Sequence, residues 1–357
     1  MTAPVHVAAL GQQLKTELAA LLDPSDAALV AAWWHAWREI APELTDTLEE
    51  LMDRARTGRV PPSRLTRSRR LAAALAQARE RLGEILAEYG DDVVLLLPEA
   101  LAATLQGTRA MVAAQLPGPD RAEGGDDPGA GLTEVYDQLD AIVTRARENI
   151  TARHLALPAA VELAMRAELI RGIAVGENPR AVAQRIIQRT GTAFNGGLPR
   201  ARTIARTEML DAHREAQRRW MQANRHVVDG WVWEASLDSL CCRACLAMHG
   251  TRFTVDDPPP EDHHNGRCIA LPVTRTWAEL GHPGVQDTGP AMRTGEEWLN
   301  DQNPETRRRI LGPRIAGAYD AGRIRWADLA RWRENPGWRR SIEPTPLRDL
   351  LTMEGDP

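Results

Sequence analysis

The side chains able to bind metal or act as nucleophiles gather in one stretch. Cys241, Cys242, Cys245, His249, His263, His264 and Cys268 all fall between positions 241 and 268, and they include every cysteine of the chain. Cys242-x2-Cys245 followed by His263-x4-Cys268 offers thiolate sulfur and neutral imidazole nitrogen, the donors of a tetrahedral Zn²⁺ site. A tight turn brings the first two sulfurs to one side, and the second pair arrives from the far end of a loop. The preferred ligand set is Cys242, Cys245, His263 and Cys268. The spacing leaves the choice among His249, His263 and His264 open. Four filled positions make a closed structural Zn²⁺ site with no place for a catalytic water. The competing reading is metal-free: buried thiols, since cysteine is among the residues most often buried, beside loop histidines.

Catalytic templates fit less well. Asp262-His263-His264-Asn265 would suit a metal-dependent His-type nuclease, in which one histidine activates water and others hold a divalent ion. That geometry needs a further histidine on a following helix, and the only downstream one is His282, in a Gly-His-Pro-Gly turn. Cys241 or Cys242 with His249 as base lacks a third, orienting group. The carboxylate pairs Asp256-Asp257 and Glu261-Asp262 read as loop solvation. No Gly-x4-Gly-Lys loop, Gly-x-Ser-x-Gly elbow or His-Glu-x-x-His motif occurs. The chain is expected not to be an enzyme.

The elements that must position the cluster are mostly helical. With 357 residues, 43% of them apolar and 26% charged, the chain reads as globular and divides into two or three domains. The fold class is α+β, predominantly α-helical. A helical N-terminal region spans residues 1–116, with Leu44, Leu48, Leu71, Leu75, Leu82 and Leu86 at helical spacing. Trp33, Trp34 and Trp37 there read as helix-packing core, the alternative being an anchor for a partner protein. The Pro-, Gly- and Asp-rich stretch 117–131 reads as a flexible linker. Central helices fill 132–228: one carrying Leu139, Ile142 and Ile150, another from about Ala159 to Ile173, and two more, with turns at 176–179 and 195–199. A small β-rich Cys/His module follows at 229–275, its strands Trp231–Ser236, Thr251–Val255 and Ile269–Val273. A helical C-terminal extension, 276–357, has Trp298, Leu299, Ile310, Leu311, Ile315, Tyr319, Leu329 and Trp332 as its expected core.

Charge narrows the partners. Net charge is −5, and Lys15 is the single lysine. Between Arg54 and Arg81 stand Arg54, Arg56, Arg59, Arg64, Arg67, Arg69, Arg70, Arg79 and Arg81, with Glu80 the one acid among them. A solvated helix face is the ordinary meaning of such a run. The functional meaning is a contact with nucleic acid or an acidic protein surface, limited on nucleic acid to phosphates because no aromatics interleave to stack bases. The richest apolar run, Val93-Val-Leu-Leu-Leu97, is far too short for a membrane span, and no signal peptide is read at the N-terminus. The expectation is an intracellular product, and its cysteines are not a disulfide framework.

The runs Arg202-Thr-Ile-Ala-Arg-Thr-Glu208-Met-Leu-Asp-Ala212 and Gly230-Trp-Val-Trp-Glu-Ala-Ser-Leu-Asp238, followed by the cysteine module, carry a family likeness. Together they resemble the phage Mu F-like head morphogenesis (minor head protein) family. Asp238, Cys242, Cys245, Gly250, Pro259, Pro260, His263, Arg267 and Cys268 stand where that family's motif has such residues. Segments from Trp298 to Leu350 are similar to its C-terminal extension, so the likeness covers roughly residues 160–350. Three positions depart from it: Leu240 for Arg, His249 for Asp, and Gly266 for the first cysteine of Cys-Arg-Cys, which leaves one thiolate fewer. The resemblance implies a structural minor head protein of a tailed phage, present in the virion and, during assembly, in the host cytoplasm. Its implied partners are the portal protein and the major capsid or scaffold proteins, with packaged DNA contacted through Arg54–Arg81. The alternatives are the nuclease and a zinc-stabilised nucleic-acid-binding adaptor.

Overall fold

Apolar residues recurring every three to four positions draw most of the chain into helices, and one aromatic period-two run interrupts them. The computed structural model describes residues 7–55, 59–116, 132–173, 177–192, 197–238, 240–283, 292–336 and 339–352. The stretch 117–131, read as a linker, and the turn positions 176, 195 and 196 lie outside the described residues. In chain order the helices before the sheet are α1 (Val7–Asp53), α2 (Pro62–Arg67), α3 (Arg69–Ala113), α4 (Leu139–Ile173), α5 (Pro179–Thr192) and α6 (Gly197–Ala223). Then come β1 (Val228–Glu234), α7 (Arg243–Met248), β2 (Arg252–Thr254) and β3 (Ile269–Thr274). The chain continues as α8 (Gly295–Asn300), α9 (Pro304–Leu311), α10 (Pro313–Asp320), β4 (Ala330–Arg333), β5 (Ser341–Pro344) and α11 (Leu347–Thr352). The fold is α+β and predominantly helical, with small antiparallel sheets. Among the described residues no helix is long and apolar enough to cross a membrane.

Packing groups the chain into two units: Met1–Leu18, Glu99–Ile142 and Leu210–Pro357 form one, Ala19–Pro98 and Val143–Met209 the other. Helices α1, α3, α4 and α6 each supply residues to both.

The second of these units is helical. Trp33 and Trp37 are buried in it among Leu44, Leu48, Leu75, Leu82 and Leu86, as a core reading requires, whereas Trp34 stays 36% exposed. Gly197 leaves the space Trp33 needs, since a Cβ there would lie 2.4 Å from the ring. The α4 region, expected as two helices, is one, with Pro158 inside it. An internal proline costs about 3 kcal/mol. Burial of Leu157, Val161 and Met165 along one continuing face outweighs that cost, and the ring sits against Gly83. The Ile-Ala-Arg-Thr-Glu run serves packing here. Buried Glu208 receives Arg153 at 2.5 Å and Asn149 at 2.9 Å. Asp26 accepts Tyr89 Oη at 2.6 Å and pairs with Arg202 at 2.7 Å and Arg206 at 3.5 Å.

The other unit holds the three-stranded antiparallel sheet, ordered β2-β1-β3. Alternation in Trp231-Val-Trp-Glu predicts a half-buried strand, yet β1 is buried on both faces except at Asp229. Trp231 stacks on Phe253 of β2 at 4.3 Å on one face. On the other, Gly11 of α1 lies so close to Leu271 and Glu234 that a Cβ would meet the Leu271 side chain at 2.6 Å. Lys15, the single lysine, is drawn into this face to pair with buried Glu234 at 3.3 Å, and Gln12 donates to the same carboxylate at 2.7 Å. At the end of α3, Gln115 donates to the Pro272 carbonyl at 2.9 Å, and Trp277 donates to the Gln115 carbonyl at 2.7 Å.

The C-terminal region differs from the all-helical expectation by the β4–β5 hairpin. Trp332 is 42% exposed rather than core, because it sits on β4 with the Arg340 guanidinium over its ring at 4.5 Å. Leu299, Leu311, Ile315 and Leu329 are buried as expected, while Trp298, Ile310 and Tyr319 are half-buried.

Candidate metal centre

Cys242 ends the extended segment after β1 and caps α7, its sulfur accepting the Cys245 N–H at 3.3 Å. One helical turn then places the Cys245 thiol beside it. The long return from β2 delivers His263 just before a turn closed by the Gly266 N–H on the His263 carbonyl (2.9 Å), with Asn265 left-handed at φ 58°. The ligand atoms of Cys242, Cys245 and His263 lie within 4.8 Å of one another, a grouping that could hold a metal ion. Cys268 is buried and reaches the group through a hydrogen bond between its thiol and that of Cys245, but it is not one of the three in mutual range.

The electrostatics inside the cluster are strong. Hydrogen bonds from Cys245 and His263 stabilise the Cys242 thiolate against burial and hold that thiol at about 4. The same contact with Cys242 raises His263 to about 9. Cys245 is pushed well above the usual thiol value by its bonds to Cys242 and Cys268 and by burial. Cys241 is also raised, chiefly by burial. The His263 Nδ1 faces the His264 carbonyl at 2.9 Å. When Nδ1 carries the proton it donates there, and Nε2 is left as the lone-pair nitrogen, the usual arrangement of a ligating histidine.

The other two histidines have separate places. His249 is buried where α7 ends, and its Nδ1 accepts the Ala235 N–H at 3.1 Å. Burial, with Lys15 nearby, holds its pKa at about 4, so the ring is neutral and ties α7 to the end of β1. His264 is exposed and outside the group of three. His282 follows Trp277 in a turn, its N–H on the Trp277 carbonyl at 2.7 Å.

Beneath the loop lies a network that sequence reasoning missed. Asp262, taken for a solvated loop acid, is 0% exposed and pairs with Arg214 of α6, itself 2% exposed, at 2.8 Å. The same Asp262 oxygen accepts the Cys268 N–H at 3.1 Å, and Arg214 donates to the carbonyls of Cys268 (2.9 Å) and Gly266 (3.1 Å). Arg339 adds bonds to the Asp262 carbonyl (2.7 Å) and to Asp211 (2.8 Å). No sequence spacing links Arg214 with Asp262, which are 48 positions apart. On the surface, Asp238 receives Arg267 through two bonds of 2.6 and 2.8 Å.

The arginine run is smaller than its sequence implies. Arg54 and Arg70 pair with Glu50, Arg79 with Glu162 at 3.4 Å, and Arg81 with Glu84 at 3.0 Å. Arg59, Arg64, Arg67 and Arg69, on α2 and its flanks, are exposed, with no acidic partner in ion-pair range among the described residues. Arg56 lies outside the described residues.

Residues 164–271 match the family model described as Phage Mu protein F like protein. The match starts inside α4 and ends inside β3, so it spans all four cysteines and both candidate ligand segments. No curated protein and no solved structure matches the chain.

Proposed function

We propose, from the match of residues 164–271 to the family model described as Phage Mu protein F like protein, that the chain is a structural minor head protein of a tailed bacteriophage. The family implies head morphogenesis and capsid partners. The finer reading is an assembly component that meets the portal from the capsid interior and remains in the virion. The observation that carries it is the match itself, supported by motif residues built into packing and into a sulfur–nitrogen cluster. Truncation is a poor test, since removing residues 1–116 would strip α1 and α3 from both units. The direct test is mass spectrometry of purified procapsids and virions, with cross-linking. Cross-links to the portal support the reading, cross-links confined to the shell protein move the partner, and absence from both particles overturns it.

The metal part of the reading assigns Cys242, Cys245, His263 and Cys268 to a structural Zn²⁺. The donor set fits: one cysteine caps a helix and receives an N–H···S bond, and the histidine has a backbone partner for its second nitrogen. Bound zinc would supply a cross-link between α7 and the loop before β3, worth folding free energy. A sulfur-rich set is unlike the oxygen-rich sites that hold Mg²⁺ for phosphodiester hydrolysis, so the nuclease alternative has no observation in its favour. Elemental analysis giving one zinc per chain is the expected result.

For packaged DNA, the contact is assigned to Arg59, Arg64, Arg67 and Arg69. Four phosphate contacts give a log–log salt slope of roughly −3.6 for double-stranded DNA. Replacing all four by glutamine should abolish binding to double-stranded DNA; unchanged binding removes the assignment.

A further inference from the structure

We propose that the two ligand-bearing segments form a clasp on the C-terminal hairpin, and that metal occupancy decides whether β5 is docked. The inference rests on the reading of Cys242, Cys245, His263 and Cys268 as ligands.

Each jaw of the clasp touches β5 or the residues beside it, through groups next to a ligand. In the α7 jaw, Arg243, between Cys242 and Cys245, donates to the Thr345 carbonyl at 2.7 Å, and α7 packs against both β4 and β5. In the loop jaw, the Glu261 carbonyl accepts the Ile342 N–H at 2.8 Å, and its carboxylate accepts Arg340 at 2.5 Å. The adjacent Asp262 carbonyl accepts Arg339 at 2.7 Å. Glu261 and Asp262 immediately precede His263.

The hairpin needs such support. Among the described residues strand β5 pairs only with β4, and a two-stranded hairpin is marginal by itself. Ile342 is nonetheless buried, held by the segment it bonds to. Asp262 and Arg214 fix the base of the loop whether or not metal is present. What a metal adds is a bond between the jaws: His263 and Cys268 on one side, Cys242 and Cys245 on the other. Without it the jaws are joined by thiol and imidazole hydrogen bonds and by the exposed Arg267–Asp238 pair, and the local opening that releases β5 becomes easier.

Hydrogen exchange on the full chain, zinc-loaded and after chelation, tests this, with metal content measured in each sample. The expected result is about tenfold faster exchange of the amides of 341–345 on zinc removal, with residues 69–98 unchanged. Equal exchange in samples that demonstrably differ in zinc overturns the clasp and leaves the metal assignment standing. A protein that takes up no zinc overturns both. Uniform acceleration through the whole sheet makes the metal a staple of the module and overturns selective docking. As a second arm, Arg340→Gln and Arg243→Met should loosen 341–345 while one zinc stays bound; full protection in both variants also overturns the proposal.

Discussion

Gly266→Ala is a single methyl whose cost the structure makes large. A Cβ at this position would lie 2.0 Å from Asp262 Oδ2 and 2.2 Å from its Cγ, far inside contact distance. The glycine is not needed for backbone freedom, since its φ is outside the left-handed region. The space is what matters. The carboxylate has no alternative position: Arg214 and the Cys268 N–H hold Oδ2, and Arg339 reaches Oδ1 at 3.3 Å, in a side chain closed to solvent. Making room means breaking a buried ion pair and leaving Arg214 with Asp211, at 3.1 Å, as its remaining carboxylate, a cost of about 3 kcal/mol. Asp262→Ala should cost a similar amount for the same reason. In that background the methyl at 266 finds its space already vacated, so the double variant should be little worse than Asp262→Ala alone, a coupling of roughly 3 kcal/mol. Urea unfolding of the four proteins, followed by tryptophan fluorescence, closes the cycle. Gly266→Ala within about 1 kcal/mol of the parent, or two costs that simply add, would refute the packing argument.

Three further outcomes are expected. Cys242→Ser should lose bound zinc while His264→Ala retains it, read by elemental analysis; equal retention would separate Cys242 from the ligand set. Burial, then Arg214 and Lys15, holds His213 down at about 3, with Thr104 Oγ1 against its Nδ1 at 2.8 Å. Between that value and the unfolded value near 6.5 only the unfolded chain takes up this proton. Stability therefore rises with pH across this window and is lost as pH falls through it, by up to about 1.4 kcal/mol per pH unit. His213→Gln should flatten the profile, measured by urea unfolding between pH 4 and 7. Lys15→Met leaves Glu234 buried without its cation and should cost about 3 kcal/mol, whereas Lys15→Met with Glu234→Leu should recover most of it. Equal melting of the single and double variants would show that the pair is not coupled.

What could be read from sequence was what is local along the chain. Helical periods located Leu44, Leu75 and Leu82 in a core, and the aromatic alternation around Trp231 and Trp233 located β1. Cys242 and Cys245 announced a shared site because three residues of spacing nearly fix their sulfurs. The hairpin β4–β5 escaped because both strands are short, and the arginines of β4, Arg331 and Arg333, are balanced across the ladder by Glu343 of β5. The arginine run escaped in the opposite direction. For Arg70 and Arg79 the neutralising partners, Glu50 and Glu162, sit on other helices, outside the charged stretch itself. His249 and His263 are equivalent by type and nearly so by distance from the cysteines. The fold tells them apart: His263 joins the Cys242–Cys245 group with its Nδ1 on the His264 carbonyl, whereas the His249 Nδ1 is taken by the Ala235 N–H.

Gly266 shows how a residue can count against a site in sequence and for it in space. Read along the chain, it is a missing thiolate beside Cys268. In the fold, the absent side chain is what admits the Asp262 carboxylate beneath the loop. There Asp262 neutralises Arg214 and receives the Cys268 N–H, while the Gly266 N–H closes the turn on the His263 carbonyl. A cysteine at 266 would need the volume that Asp262 fills, so at this position a third loop ligand and the buried acid exclude each other. With the acid in place, the loop brings His263 within 4.8 Å of the sulfurs of Cys242 and Cys245, and the Cys268 thiol bonds to Cys245 at the edge of that group.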